Sequence, residues 1–159
     1  MAKTRALASE FDNADESPGF LLWRVTNLWQ AAQRRALKPF DLTHVQFVLL
    51  ASLLWIQEDG PVTQRRLADD AATDPMMTSQ VLRALEDRGL VKRSSFPGDR
   101  RARSLRVSAR GATLVNRALG AVEQCDHEFF RRLGPRQAGL VTTLRDLLVE
   151  QLSTPGASN

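Results

Sequence analysis

The side chains most able to do chemistry in this 159-residue chain are arginines, placed where they could meet a polyanion. Arg100, Arg101 and Arg103 crowd the short stretch after Phe96-Pro97-Gly98-Asp99. An arginine on an exposed tip can enter a narrow minor groove, where the negative potential is enhanced. Upstream, the run from Pro75 to Arg88 spaces Met76, Ser79, Gln80 and Arg83 along one side of a helix. Gln80 can pair with adenine, Arg83 with guanine or a phosphate, and Ser79 with either, while Met76 and Thr78 can touch thymine methyls. Thr63, Gln64 and Thr73 stand at helix N-termini, where backbone N–H groups and the helix dipole favour a phosphate. Those three also serve as ordinary caps, and the outward row also fits a solvated surface with no partner.

The rest of the composition narrows the choice. Two histidines and a single cysteine leave little material for a zinc site and none for an internal disulfide. No glycine-rich phosphate loop and no nucleophile elbow occurs, and carboxylate pairs such as Asp69-Asp70 and Glu86-Asp87 are scattered over helix surfaces. We therefore expect no catalytic residue, no metal, no cofactor and no enzymatic activity. The net charge is +4, and its distribution is uneven. Between Gly60 and Gly111 there are 11 basic and 6 acidic residues, against 11 and 12 elsewhere. A basic module in a neutral scaffold is the electrostatic footprint of nucleic-acid binding, although a solvated basic face gives the same count. The segment Met1 to Glu16 lacks an apolar signal core, and no apolar run reaches the length of a membrane span. The expectation is a cytoplasmic protein without membrane contact. Cys125 lies among apolar neighbours, which fits inert packing better than a redox switch.

These groups need elements to hold them. Ser17-Pro18 starts a helix that runs to about Leu37 and stops at Pro39, with a wide apolar stripe through Leu21, Val25, Leu28 and Ala32. Thr43, with Gln46 three residues on, caps a second helix. Its span Phe47 to Ile56 is apolar almost all round and should be buried. Thr63 caps a third helix, with Leu67 and Ala68 inward. Asp74-Pro75 starts a fourth, with Met77, Val81, Leu82 and Leu85 inward and Gly89 as its stop. Two short helices joined by a tight turn form a helix-turn-helix. Leu90 to Arg93 and Ser104 to Val107 then make a β-hairpin, a wing. Ser108 caps a long fifth helix, and Gly134-Pro135 divides it from a sixth. The fold class is all-α with a small β-hairpin wing, an α+β winged helix-turn-helix with six helices. The last two helices carry apolar residues on more than one face. That favours burial against a second copy, the alternative being a monomer whose core they wrap.

With these elements in order, the chain resembles the multiple-antibiotic-resistance-regulator (MarR) family of bacterial transcription factors. The resemblance covers about Pro18 to Leu152. It is sharpest in Leu85-Glu86-Asp87-Arg88-Gly89-Leu90-Val91-Lys92-Arg93, followed by Gly98-Asp99-Arg100-Arg101. The family's wing motif Asp-x-Arg is matched by Asp99 and Arg101. Its Leu-Thr pair and glycine read here as Val107-Ser108 and Gly111. The resemblance implies a homodimer that binds a pseudo-palindromic operator in double-stranded DNA, represses nearby genes, and is released by a small aromatic or anionic effector. It also implies that Asp99 and Arg101 form a salt bridge setting the wing, which divides Arg101 between that role and DNA. An effector pocket between dimerisation helices and the DNA-binding lobe has Trp23, Arg24, His44, Phe47 and Trp55 as candidates by position, though tryptophan at helical spacing also fits plain core.

The expected organisation is a flexible N-terminal segment at 1–16, a dimerisation helix at 17–40, a winged helix-turn-helix at 41–108, dimerisation helices at 109–153 and a disordered tail at 154–159. The rival functions are a winged-helix protein-interaction module, a non-specific DNA binder without an effector response, and an RNA binder. The polar outward row argues against the first. The scarcity of aromatics between Gly60 and Gly111, where only Phe96 occurs, argues against single-strand stacking.

Overall fold

The computed structural model describes residues 7–153, apart from the side chains of Arg100 and of residues 151–153. The expected tail at 154–159 and the first six residues of the segment 1–16 lie outside the described residues. Within that segment Ala14–Glu16 forms a 3₁₀ turn closed by Asn13 and Glu16, and the Asn13 side chain holds the Glu16 carboxyl below its usual range.

Helix α1 spans Pro18–Leu37, with the Ser17 hydroxyl accepting from the Phe20 N–H at 3.3 Å and Pro18 in the first turn. A 3₁₀ turn, Lys38–Phe40, and a left-handed Asp41 lead to α2, His44–Ile56. Thr43 and Gln46 close the expected capping box: each backbone N–H donates to the other's side chain, at 3.1 and 3.2 Å. Phe47, Leu49, Leu50, Leu53 and Ile56 put α2 in the centre of the core. Its burial is not complete, since Trp55 is 83 % exposed.

Two short helices follow, α3 (Gln64–Asp70) and α4 (Pro75–Asp87), then strands β1 (Val91–Phe96) and β2 (Asp99–Val107). The strands pair antiparallel from Val91↔Val107 to Phe96↔Asp99, with a register shift between Ser95 and Phe96. Pro97 and Gly98 make the turn, Gly98 at φ +80°. The hairpin is longer than the apolar alternation suggests. Beyond its root the sheltered positions are Ser104, buried, with Ala102 and Phe96 half-buried, so Ser94, Ser95 and the arginines carry no hydrophobic period. The root is tied back to the chain ahead of α3, where the Leu105 N–H donates to the Val62 carbonyl at 2.8 Å. Leu67, Leu82, Leu85, Leu90 and Leu105 join α2 in one core.

Helix α5 spans Ala109–Phe130. The Ser108 hydroxyl caps it, accepting from the Gly111 N–H at 3.0 Å and donating to the Gly89 carbonyl at 2.7 Å. Gly111 packs against the Leu90 carbonyl so closely that a Cβ there would overlap it and would lie 2.9 Å from Val107 Cγ1. Gly134, at φ +52°, breaks the path between α5 and α6, Gln137–Ser153. The chain forms two compact units that divide within α5, after Val122. In the first, α1 buries only Gln33 and Leu37 and exposes Phe20, Leu22, Trp23, Val25 and Leu28. In the second, α6 exposes Val141, Leu144, Leu147, Leu148 and Val149. Cys125 is half-buried. No single helix among the described residues is long and apolar enough to cross a membrane.

Candidate nucleic-acid interface

The turn between α3 and α4 is set by backbone bonds and hydroxyls. The Thr63 hydroxyl accepts from the Arg66 N–H at 3.2 Å, so it works as the α3 cap. The N–H groups of Ala72 and Thr73 reach back to the Asp69 and Ala68 carbonyls, at 3.2 and 2.9 Å, around a left-handed Ala72 at φ +50°. This is a glycine-type helix stop made by an alanine. Asp74 then caps α4, accepting from the Met77 N–H at 2.9 Å.

Thr78 departs from the expectation. It is fully buried; its hydroxyl donates to the Asp74 carbonyl at 2.8 Å and shares a 2.7 Å hydrogen bond with the Thr73 hydroxyl. The two threonines lock the turn to the start of α4, so Thr78 is withdrawn from a helix-to-base contact and the half-buried Thr73 hydroxyl faces inward to it. Met77 is the converse. Expected in the core, it is 39 % exposed, because Thr78, Leu82 and Leu85 set the inward line and Met77 falls on its flank. The outward face of α4 holds Met76, 72 % exposed, with Gln80 and Arg83 also exposed and Ser79 half-buried.

On the wing, the Arg101 and Arg103 side chains are exposed along β2; the Arg100 side chain lies outside the described residues. The implied Asp99–Arg101 salt bridge is replaced by a different bond. The Asp99 carboxylate accepts from the Arg101 backbone N–H at 2.8 Å. An aspartate reaching its own backbone two residues on fixes the chain as it leaves the turn, and the guanidinium is not part of that bond. Across the hairpin, Ser94 and Ser104 share a 2.8 Å hydroxyl hydrogen bond.

Two arginines without an assigned role in the sequence join these elements. Arg93 of β1 donates from Nε to Glu86 Oε1 at 2.6 Å, and from Nη2 to Gln64 Oε1 at 3.2 Å. Arg88, just past α4, donates to Gln46 Oε1 at 3.3 Å and to Asp41 Oδ2 at 3.4 Å. The signal available in the sequence was a glutamate and an arginine of opposite charge flanking the Gly89 stop.

Among the described residues, the five effector-pocket candidates lie in different surroundings. Trp23 and Trp55 are largely exposed, and Phe47 is core. Arg24 pairs with Asp15 at 3.1 Å and lies 5.8 Å from the centre of the Phe20 ring. His44 stands edge-on to Trp29, ring centres 5.0 Å apart. An open groove of about 640 Å³ lies where α1 ends and α2 begins, lined by Ala31, Arg34, Arg35, Lys38, Asp41, Leu42, Thr43, Gln46 and Arg88.

Two short helices, the second with a polar outward face, followed by a basic hairpin docked at its root, define a winged helix-turn-helix DNA-binding protein. Residues 42–102 match the model of the MarR family. The chain is 42 % identical over 141 residues to the uncharacterized HTH-type transcriptional regulator YdcH of Bacillus subtilis, covering 88 % of this chain and 95 % of that one. It is 34 % identical over 126 residues to the HTH-type transcriptional repressor Rv2887 of Mycobacterium tuberculosis, covering 78 % and 88 %. Among solved structures it resembles CouR of Rhodococcus jostii bound to p-coumaroyl-CoA, with a TM-score of 0.76, 26 % identity and coverage of 94 % and 100 %. The transcriptional repressor CouR on a 23-mer DNA duplex gives the same score and identity, over 87 % and 99 %. The chain belongs to the MarR family of transcriptional regulators, which is not a family of enzymes.

Proposed function

We propose that this protein is a sequence-specific repressor that binds a pseudo-palindromic operator as a homodimer, in the cytoplasm, on nucleoid DNA, and is released by a small aromatic or anionic effector. The observation that carries the reading is the exposed row Met76, Gln80 and Arg83 on α4, with half-buried Ser79 beside it, in the same compact unit as Arg101 and Arg103 of the wing. A recognition helix reads base edges through its N-terminal half, and wing arginines suit a neighbouring minor groove. Arg100 is assigned to DNA with them. Thr63 and Gln64 approach the backbone beside the head of α3, and Thr73 and Thr78 serve the interface by holding its turn.

A related repressor name and the CouR complexes with DNA and with p-coumaroyl-CoA support both the operator and the effector. The apolar faces of α1 and α6 support the dimer, since contiguous exposed apolar residues on a soluble chain mark an interface. The effector reading extends to the groove beside Arg34, Arg35, Lys38 and Arg88, whose lining holds four cations and one carboxylate, Asp41.

The test is a gel shift on DNA upstream of the protein's own gene at two salt concentrations, with random duplex as competitor. A specific, salt-sensitive shift is expected, with a footprint of two half-sites about one helical turn apart. Equal retention of random DNA would make the protein a non-specific binder. A folded dimer that binds no duplex would make it a protein-interaction module.

A further inference from the structure

We propose that Arg93 is a positioning residue for DNA reading, its single guanidinium bonded to Glu86 of α4 and Gln64 of α3 so that the wing root and recognition helix meet DNA as one piece. The proposal rests on the sequence-specific reading above. Three elements must engage a duplex together: the head of α3, the outward face of α4 and the wing. Reading base edges needs such groups held to about half an ångström, so each must be fixed against the others. Arg93 lies where they converge, near the start of β1, opposite the buried Leu105 that anchors the hairpin.

The chemistry suits the task. A guanidinium is planar and presents Nε and Nη2 in a fixed fork, so one bond orients the other. Here the fork is divided between two acceptors on two helices, at 2.6 and 3.2 Å. The Arg93 and Glu86 side chains are only 30 % and 24 % exposed, so the pair is partly sheltered from solvent. Glu86 also sits where a carboxylate does a helix no local good. The last turn of α4 holds Glu86 and Asp87 and no basic residue, at the negative end of the helix dipole. Its position makes sense through its partner, which sets the angle at which α4 leaves the wing root. The bond to Gln64 Oε1 turns that carboxamide so that its oxygen faces Arg93 and its NH₂ faces away.

The experiment titrates a footprinted operator fragment and a scrambled duplex of equal composition with wild type, Arg93→Lys, Arg93→Ala, Glu86→Gln and the double variant Arg93→Lys/Glu86→Gln, over a range of salt. Arg93→Lys keeps the charge but lacks the fork, and Glu86→Gln keeps the shape but lacks the ion pair. Each is expected to cut the operator-to-scrambled affinity ratio about tenfold, with the double variant no worse than either single. The salt dependence and the melting midpoint of Glu86→Gln should stay at their wild-type values. An unchanged ratio in both single variants overturns the proposal. So does a shallower salt dependence in Arg93→Ala with the ratio intact, which would make Arg93 a phosphate contact. A ratio that falls only in step with the melting midpoint also overturns it, leaving a purely structural pair. A wild type that does not discriminate the two duplexes defeats the proposed function itself, and this inference with it. Discrimination by wild type and variants alike defeats this inference alone.

Discussion

Arg83 has the clearest individual role to test. It is exposed on α4 one turn after Ser79, to whose hydroxyl it lies at 3.5 Å, a distance too long to hold it in place. If it reads a base, Arg83→Ala costs about 1–3 kcal/mol of operator binding and relaxes preference at one position, as measured by titration against single-base operator variants. Arg103→Ala should act differently: weaker binding to every duplex and a salt dependence shallower by about one unit of log K per log salt, with no change in preference. Loss of preference in that variant would move Arg103 from backbone contact to base reading. These assignments came from side-chain type and helical spacing, and for Met76, Gln80 and Arg83 the exposure agrees. Thr78 did not follow from them. A threonine one step off the outward row reads as surface until its hydroxyl partners, the Asp74 carbonyl and Thr73, are seen, because threonine serves both settings equally well.

Among the elements, the helices were readable from the sequence because caps and prolines mark them. Ser17, Thr43, Thr63, Asp74 and Ser108 each cap the helix that they precede. The wing was readable in outline only. Its root carries Val91, Leu105 and Val107, but its outer half has no apolar period to mark where pairing continues. The surroundings of the aromatic candidates were not readable, since aromatic residues at helical spacing look alike whether they end in the core, as Phe47 does, or in solvent, as Trp55 does. Two backbone positions give stability predictions of opposite sign. Ala72 holds a left-handed conformation that crowds its Cβ, so Ala72→Gly should stabilise by about 0.5–1 kcal/mol after the looser unfolded chain is counted. Gly111 has no room for a Cβ beside Leu90, so Gly111→Ala should destabilise by about 1–3 kcal/mol. Denaturant midpoints of the two variants measure both, and a shift of either in the reverse direction would contradict the packing described.

At the scale of the whole molecule, the question is what covers the apolar faces of α1 and α6. Leu28 is 63 % exposed and Leu147 is 49 % exposed, each within a run of similar residues. A second copy is the simplest cover. Leu28→Glu and Leu147→Glu are each expected to shift sedimentation from dimer toward monomer and to weaken operator binding, while the helix-turn-helix stays folded by circular dichroism. Monomeric wild type at micromolar concentration would remove the dimer from the proposal. In the proposed complex the basic third of the chain, Gly60 to Gly111, would meet DNA, and the near-neutral remainder would pack against the second copy.

The bond from Leu105 to Val62 has a mechanical consequence. Together with the Ser108 and Arg93 contacts it clamps one end of the hairpin, while the Asp99 side chain stiffens only the turn at the other. We expect such a part to act as a cantilever, more rigid at its mount than at its tip. In the proposed operator complex, Arg101 would then follow a minor groove that widens or narrows from one site to another without tilting α4. Amide hydrogen exchange should grade accordingly, slow at Leu105, faster at Arg103 and fastest near Gly98. Uniform protection along the hairpin would mean a rigid bar, and the proposed complex would then tolerate far less variation in the shape of the flanking DNA.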